Sequence, residues 1–305
     1  MREAKTGRLP NLLIVGVSKA GTGSLFSYLA QHPDVCASTR KETGYFNAVR
    51  DEGRALDSID IYRAYFAHCR GESYAMEATP SYCYGGPRVV EAIRGTLDRP
   101  RILLILRDPV DRLWSAYTFQ RSLMHLPGID SFEQYVSACE ALREQGRPII
   151  TSGHLKGLAI GFYADYMPTW FEAFPDDVRA MFFEDMASRP QAVIGELCRW
   201  LGIDDAVTDS FDYKARNETV HPRSLKIGQA AFAMKRRMGG VLEKAPQLRT
   251  ALRGAYLRLN KGRAPERLRP ETRERLVATY RESNAGIREL LRSLGYERFP
   301  PWLTM

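Results

Sequence analysis

Residues 11–25 read NLLIVGVSKAGTGSL. The apolar run at 12–17, rich in branched side chains, predicts a strand buried on both faces of a parallel sheet. It runs into a loop carrying Gly16, Gly21 and Gly23, and a helical pattern then opens at Thr22 and Ser24 and continues through Leu25, Tyr28 and Leu29. Glycines allow a tight turn and a close backbone approach to a ligand. The amides and the positive dipole end at a helix start suit a phosphate, and Lys19 adds a mobile positive charge. Strand, glycine-rich turn and helix together predict a phosphate cradle made by Lys19, Ala20, Gly21, Thr22, Gly23 and Ser24. The bland alternative is a strand-to-helix turn that holds nothing.

The place of the lysine decides among phosphate loops. A nucleoside triphosphatase loop reads G-x-x-x-x-G-K-[ST]. Gly16 and Gly21 keep that separation, but Thr22 stands at the lysine position and the loop's lysine, Lys19, lies inside it. No hydroxyl follows a lysine to hold Mg²⁺, so an NTPase or an ordinary kinase is disfavoured.

Working outward, residues 101–121 read RILLILRDPVDRLWSAYTFQR. The run at 102–106 predicts a second buried strand, and Asp108-Pro109 predicts a helix start, where proline is well placed. Arg107 then sits at the strand end and Ser115 two turns into the helix. Open α/β sheets bind ligands at their strand ends, and an arginine fork with a hydroxyl suits a phosphate monoester. The alternatives are an ion pair of Arg107 with Asp108 or Asp111, and an ordinary helix-surface serine.

These segments resemble the nucleotide-binding motifs of sulfotransferases that use 3′-phosphoadenosine 5′-phosphosulfate (PAPS). The first matches the 5′-phosphosulfate loop, G-x-x-K-x-G-T-x-[ST]; the second matches the 3′-phosphate motif, R-D-P-x-x-R-x-x-S-x-Y. Most of the chain is similar to the heparan sulfate sulfotransferase type, above all the glucosaminyl 3-O and N enzymes and their bacterial relatives. HPDV at 32–35, KETGYFN at 41–47, EATPSY at 77–82 and LNKGRAP at 259–265 carry the likeness. It implies PAPS as the sulfuryl donor, adenosine 3′,5′-bisphosphate as its product, no metal, and a loop of Lys261, Gly262 and Arg263 over the nucleotide. Two departures stand out. Ala78 occupies a position where the animal enzymes carry a lysine, and 211–263 lacks the cysteine pair of the 3-O enzymes.

Sulfuryl transfer resembles phosphoryl transfer, with a loose transition state and in-line geometry. Lys19 and the loop amides would stabilise charge on the leaving phosphate. Glu42, a carboxylate soon after the first β-α unit, matches the family's general base; its alternative role is a surface partner of Arg40 or Lys41. Glu77 is the second choice of base. The five histidines show no metal-ligand spacing. His68 and His125 remain outside candidates, because cytosolic aryl sulfotransferases use a histidine base.

A chain of 305 residues with ordinary hydrophobic content fits one domain, 1–305: an α/β fold with a P-loop-like central parallel β-sheet flanked by helices and a helical C-terminal extension. The net charge of +8 favours polyanionic ligands. No zinc-finger or RNA-binding aromatic pattern supports nucleic acid. The five dispersed cysteines, without C-x-x-C, predict free thiols in a reducing compartment. The run at 12–17 is too short to span a membrane, and a cytoplasmic bacterial-type enzyme is expected. Further strands are predicted at 74–77 and 178–183, and helices at 132–145, 191–201 and 271–294. Phe162, Tyr166, Trp170 and Phe174 recur at helical spacing and predict a buried stripe. The basic stretch 211–263 reads as a solvated helical face, with a lid, an acceptor arm or a membrane-surface helix as alternatives.

A sulfotransferase acting on a glycan, glycolipid or natural-product hydroxyl, or on an amine, is thus the first reading. A P-loop nucleotide kinase and a non-catalytic anion- or nucleic-acid-binding protein are the others.

Overall fold

The computed structural model describes residues 7–52, 54–214 and 267–304. Its centre is one parallel sheet of β1 (Leu12–Gly16), β2 (Val35–Ala37), β3 (Tyr74–Ala78), β4 (Arg101–Leu106) and β5 (Val178–Phe182), in the order β2-β3-β1-β4-β5. The β1 side chains are fully buried, as an all-apolar strand flanked on both sides requires. Ile14 of β1 pairs with Ala78 of β3 on one side and Leu103 of β4 on the other.

Helices α1 (Thr22–Leu29), α2 (Asn47–Glu52), α3 (Ile59–Ala64) and α4 (Gly86–Thr96) lie in the first half of the chain. They are followed by α5 (Pro109–Ser122), α6 (Phe132–Glu144), α7 (Gly157–Ile160) and α8 (Pro168–Ala173). After β5 come α9 (Phe183–Ser188), α10 (Pro190–Leu201), α11 (Pro270–Ser293) and α12 (Pro301–Thr304). The left-handed Gly202 (φ 71°) ends α10.

The chain leaves β1 toward β3 and β2, then crosses to β4 and β5. The strand order therefore reverses between β1 and β4, and a crevice opens at their carboxyl ends. The β1–α1 loop and the β4–α5 junction are both delivered there. Asp108 caps α5, accepting from the amides of Val110 at 2.8 Å and Asp111 at 3.3 Å, while Pro109 fills the first helical position.

Three expectations change. The four apolar runs all become strands, but β2 is a fifth, too short to read from periodicity. The aromatic stripe is buried, yet it is not one helix. A 3₁₀ turn at Tyr163–Asp165 precedes α8, and Tyr166 between them has φ −144°. Pro168, which lacks an amide donor, starts the second piece. The cysteines are not all free: Cys36 and Cys69 form a disulfide, their Cα atoms 5.7 Å apart across a sequence separation of 33. The pairing joins edge strand β2 to the segment after α3, a proximity that spacing alone does not reveal. Cys83, Cys139 and Cys198 are buried free thiols.

Candidate active site

The β1–α1 loop is shaped by close packing. A Cβ on Gly16 would meet Cys83 Sγ at 2.6 Å, so the strand end can pass Cys83 only as glycine. Gly21 takes φ +91°, and a Cβ there would lie 2.7 Å from Met186 Cε and 2.8 Å from Phe183 Cδ2. Gly21 precedes α1 with no side-chain cap, and no acidic residue occupies the first turn. The helix dipole therefore meets no acidic residue of its own first turn. Ala20, Thr22 and Ser24 are buried, and Gly21 and Gly23 are half-buried.

Lys19 has φ 71°, in the left-handed region that non-glycine residues rarely adopt. Its Nζ stands 4.0 Å from the centre of the Phe119 ring on α5. Ser115 lies four residues before Phe119 and so on the same helix face. Burial, with the Arg107 guanidinium nearby, pushes the Lys19 ammonium down to about 8, and the Glu42 carboxylate works in the opposite sense.

Arg107 donates to the Lys19 carbonyl at 3.1 Å and stacks 4.3 Å from the Phe183 ring centre. Its expected alternative partners are taken, because Arg273 pairs with both Asp108 and Asp111. Burial lowers the Arg107 pKa, and the carboxylates of Asp111 and Glu184 oppose it. Two cations are thus held close by the fold, and Arg107 costs Lys19 some of its charged form. That arrangement is unfavourable alone and suits a multiply charged anion.

Glu42 also has positive φ, 62°. Its side chain is 59% exposed and pairs with Lys41 Nζ at 2.8 Å, so the surface-pair alternative is realised too. The same carboxylate lines a cavity of about 440 Å³ with Arg40, Lys41, Asn47, Thr79 and Ser81. Lys19 is not on that wall; its link to Glu42 is electrostatic.

The segment around Glu42 is tied down by the turn after β3. The Glu42 amide donates to Ala78 O at 2.9 Å, the Gly44 amide to Thr79 Oγ1 at 3.3 Å, and the Phe46 amide to the Tyr82 hydroxyl at 3.2 Å. Beneath them Thr43 Oγ1 donates to Glu77. Glu77 is fully buried, and burial raises its carboxyl to about 7, opposed by the Thr43 hydrogen bond and the nearby Tyr82 and Tyr62 hydroxyls, while its Oε1 and the Tyr62 hydroxyl have no hydrogen-bond partner among the described residues. Buried beneath Thr43, it supports the Glu42 segment, whereas Glu42 itself faces the cavity.

The outside candidates pair with other groups. His68 Nε2 lies 3.3 Å from Cys36 Sγ, and the His125 ring stacks on His154 with centroids 4.2 Å apart. Lys261, Gly262 and Arg263, with nearly all of 211–263, lie outside the described residues.

Sequence reading missed a second ring of cations. Arg50 and Lys156 stand 5.8 Å and 5.5 Å from the Tyr84 ring centre, and the Ser18 hydroxyl of the β1–α1 loop lies close enough to Tyr84 to affect its titration. Arg50 also donates to Ser81 O at 3.4 Å. No local pattern marks these residues, because three separate segments supply them.

Residues 9–256 match the family described as the sulfotransferase domain. The chain belongs to the sulfotransferase family. The chain is 31% identical over 207 residues to mouse heparan sulfate glucosamine 3-O-sulfotransferase 6, covering 68% of this chain and 56% of that one. It is 30% identical over 209 residues to human heparan sulfate glucosamine 3-O-sulfotransferase 3B1, covering 68% and 49%. The chain thus spans about half the length of these curated relatives. A solved sulfotransferase from Alicyclobacillus acidocaldarius shares the fold, with a TM-score of 0.69 at 23% identity over 97% of this chain and 99% of that one. Among the described residues no helix is long and apolar enough to cross a membrane.

Proposed function

We propose that this sulfotransferase-family protein, read as a single domain over 1–305, transfers a sulfuryl group from PAPS to a hydroxyl or amine of a glycan, glycolipid or natural-product acceptor. The observation that carries the reading is the setting of Lys19. Its ammonium is pressed on one side by Arg107, whose expected partners Asp108 and Asp111 pair directly with Arg273, and attracted on the other by Glu42. A pair of neighbouring cations, with no direct carboxylate partner among the described residues, fits the phosphates of the nucleotide, and a carboxylate beyond it fits a proton acceptor.

PAPS, when bound, supplies the sulfuryl group already activated on a phosphate leaving group. The residues that would hold it are the loop 19–24, Arg107 and Ser115, with Lys261, Gly262 and Arg263 as further contacts by family resemblance. Lys19 neutralises charge that grows on the bridging oxygen, where an ammonium in a half-buried site acts strongly. Glu42 takes the acceptor's proton as attack proceeds. Its left-handed backbone, tied to Ala78, holds the carboxylate toward the cavity. The basic groups about that cavity, Arg40, Lys41 and Arg50, favour an acceptor that carries negative charge.

Calorimetry with adenosine 3′,5′-bisphosphate, AMP and ATP tests the assignment. The bisphosphate should bind most tightly, and Arg107→Ala should cost ~1.5–3 kcal/mol of that affinity, the range for a charged hydrogen bond. Equal affinity for AMP and the bisphosphate overturns the donor assignment, and Mg²⁺-dependent ATP turnover would identify a kinase instead. Glu42→Gln should leave bisphosphate binding intact and slow sulfate transfer by ~10²–10⁴-fold.

A further inference from the structure

Outside the Lys19–Arg107–Glu42 constellation, three metal-ligating side chains meet at the edge of the sheet. Cys36 Sγ, Cys69 Sγ and His68 Nε2 all lie within 4.8 Å of one another. Cys36 is buried on β2, Cys69 is half-buried and His68 is exposed. The imidazole Nε2 is 3.3 Å from Cys36 Sγ. The thiols are joined here as a disulfide, but the Cα separation of 5.7 Å also suits two cysteines sharing one metal ion.

We propose that the reduced form of this cluster is a binding site for a thiophilic divalent cation of the Zn²⁺ class, with Cys36, His68 and Cys69 as its three protein ligands. Two thiolates and an imidazole are the donor set that Zn²⁺ prefers, whereas Ca²⁺ and Mg²⁺ require oxygen. Tetrahedral bonds of about 2.0–2.3 Å place donor atoms roughly 3.5–3.8 Å apart. The His68–Cys36 approach, at 3.3 Å, is a few tenths of an ångström short of that spacing, so the main adjustment is separation of the two sulfurs. His68 is exposed, so the fourth position opens to solvent and takes water.

The chemistry balances in two steps. A dithiol reductant transfers two electrons and two protons to the Cys36–Cys69 disulfide, giving two thiols and the reductant's own cyclic disulfide. The cation then displaces both thiol protons to solvent and binds the thiolates and the neutral His68 ring. The remaining cysteines do not compete. Cys83, Cys139 and Cys198 are buried, and burial pushes the thiols of Cys139 and Cys198 up to about 11. The proposal is independent of the sulfotransferase reading, since none of its residues lies in the Lys19–Arg107–Glu42 constellation.

Co²⁺ is the probe, because thiolate ligation gives it a ligand-to-metal absorption band in the near ultraviolet. The full chain is reduced with a dithiol, desalted without air and titrated, beside the untreated disulfide form. The reduced protein should take up one Co²⁺ with the thiolate band, and the disulfide form none. Cys69→Ser should abolish the band, and His68→Asn should weaken binding by about 10-fold or more, at least the loss expected for disturbing a ligand's support. No band in the reduced wild type, or equal binding by His68→Asn, overturns the proposal. So does a band that survives in a folded Cys69→Ser, since the ion would then sit on other thiols. If Cys69→Ser does not fold, the reduced and oxidised wild type and His68→Asn decide the matter.

Discussion

Lys19 is the residue on which the site turns, and its environment makes a directional prediction. Its ammonium titrates near 8 in the free protein, lowered by burial and by Arg107. A bound bisphosphate would restore the charged form, so binding should take up protons between about pH 8 and the ordinary lysine range. Affinity for adenosine 3′,5′-bisphosphate should therefore fall as pH rises through 8. Calorimetry in buffers of different ionisation enthalpy should register proton uptake at pH 8.5 that Lys19→Met abolishes. Affinity unchanged from pH 7 to pH 9 would remove Lys19 from the nucleotide site. This lysine was legible from its place inside the glycine loop. Its partner cations were only half so: Arg107 follows an apolar run, but the interaction of Arg50 and Lys156 with Tyr84 depends on packing between distant segments.

At the scale of elements, the strand-to-helix unit β1–α1 depends on Gly21. Its φ of +91° is strained for any side chain, and the space beyond it is filled by Met186 and Phe183 of α9. Gly21→Ala should lower unfolding stability by at least about 1–2 kcal/mol, the usual cost of a left-handed alanine, and more if α9 must shift. Denaturant melts would measure that loss, and a nucleotide titration should show weaker binding in the same variant. A variant as stable as wild type would mean that the loop can adopt another path. Elements with a long apolar run or clear caps were readable: β1, β3, β4, β5, α6, α10 and α11 fall within a residue or two of expectation. Short ones were not. β2 has only three residues, too few for a period, and the stripe at Phe162, Tyr166, Trp170 and Phe174 keeps helical spacing while Pro168 divides it.

For the whole molecule, one buried carboxyl should set part of the pH dependence of folding. Glu77 lies at the carboxyl end of β3 under the Thr43 hydroxyl, with no cation among its hydrogen-bond partners. Its carboxyl titrates near 7 when folded, against 4.5 for the ordinary group. Between those values the folded chain holds a proton that the unfolded chain has released. Stability therefore falls as pH rises from about 4.5 through 7 and levels off above it, the reverse of the trend for a salt-bridged carboxylate. Glu77→Gln stays neutral throughout, so the stability of wild type relative to this variant should decline by up to about 3 kcal/mol between pH 5 and pH 8. The sign is the decisive part, since loss of the Thr43 hydrogen bond shifts both ends of the comparison alike. Urea melts of the two proteins at those pH values give the difference directly. A constant gap would mean that Glu77 ionises as an exposed carboxylate does, and that water reaches the segment beneath Glu42. That outcome would also favour Glu77 as an acceptor-facing base, because a hydrated carboxylate at this strand end would border the same cavity as Thr79 and Ser81.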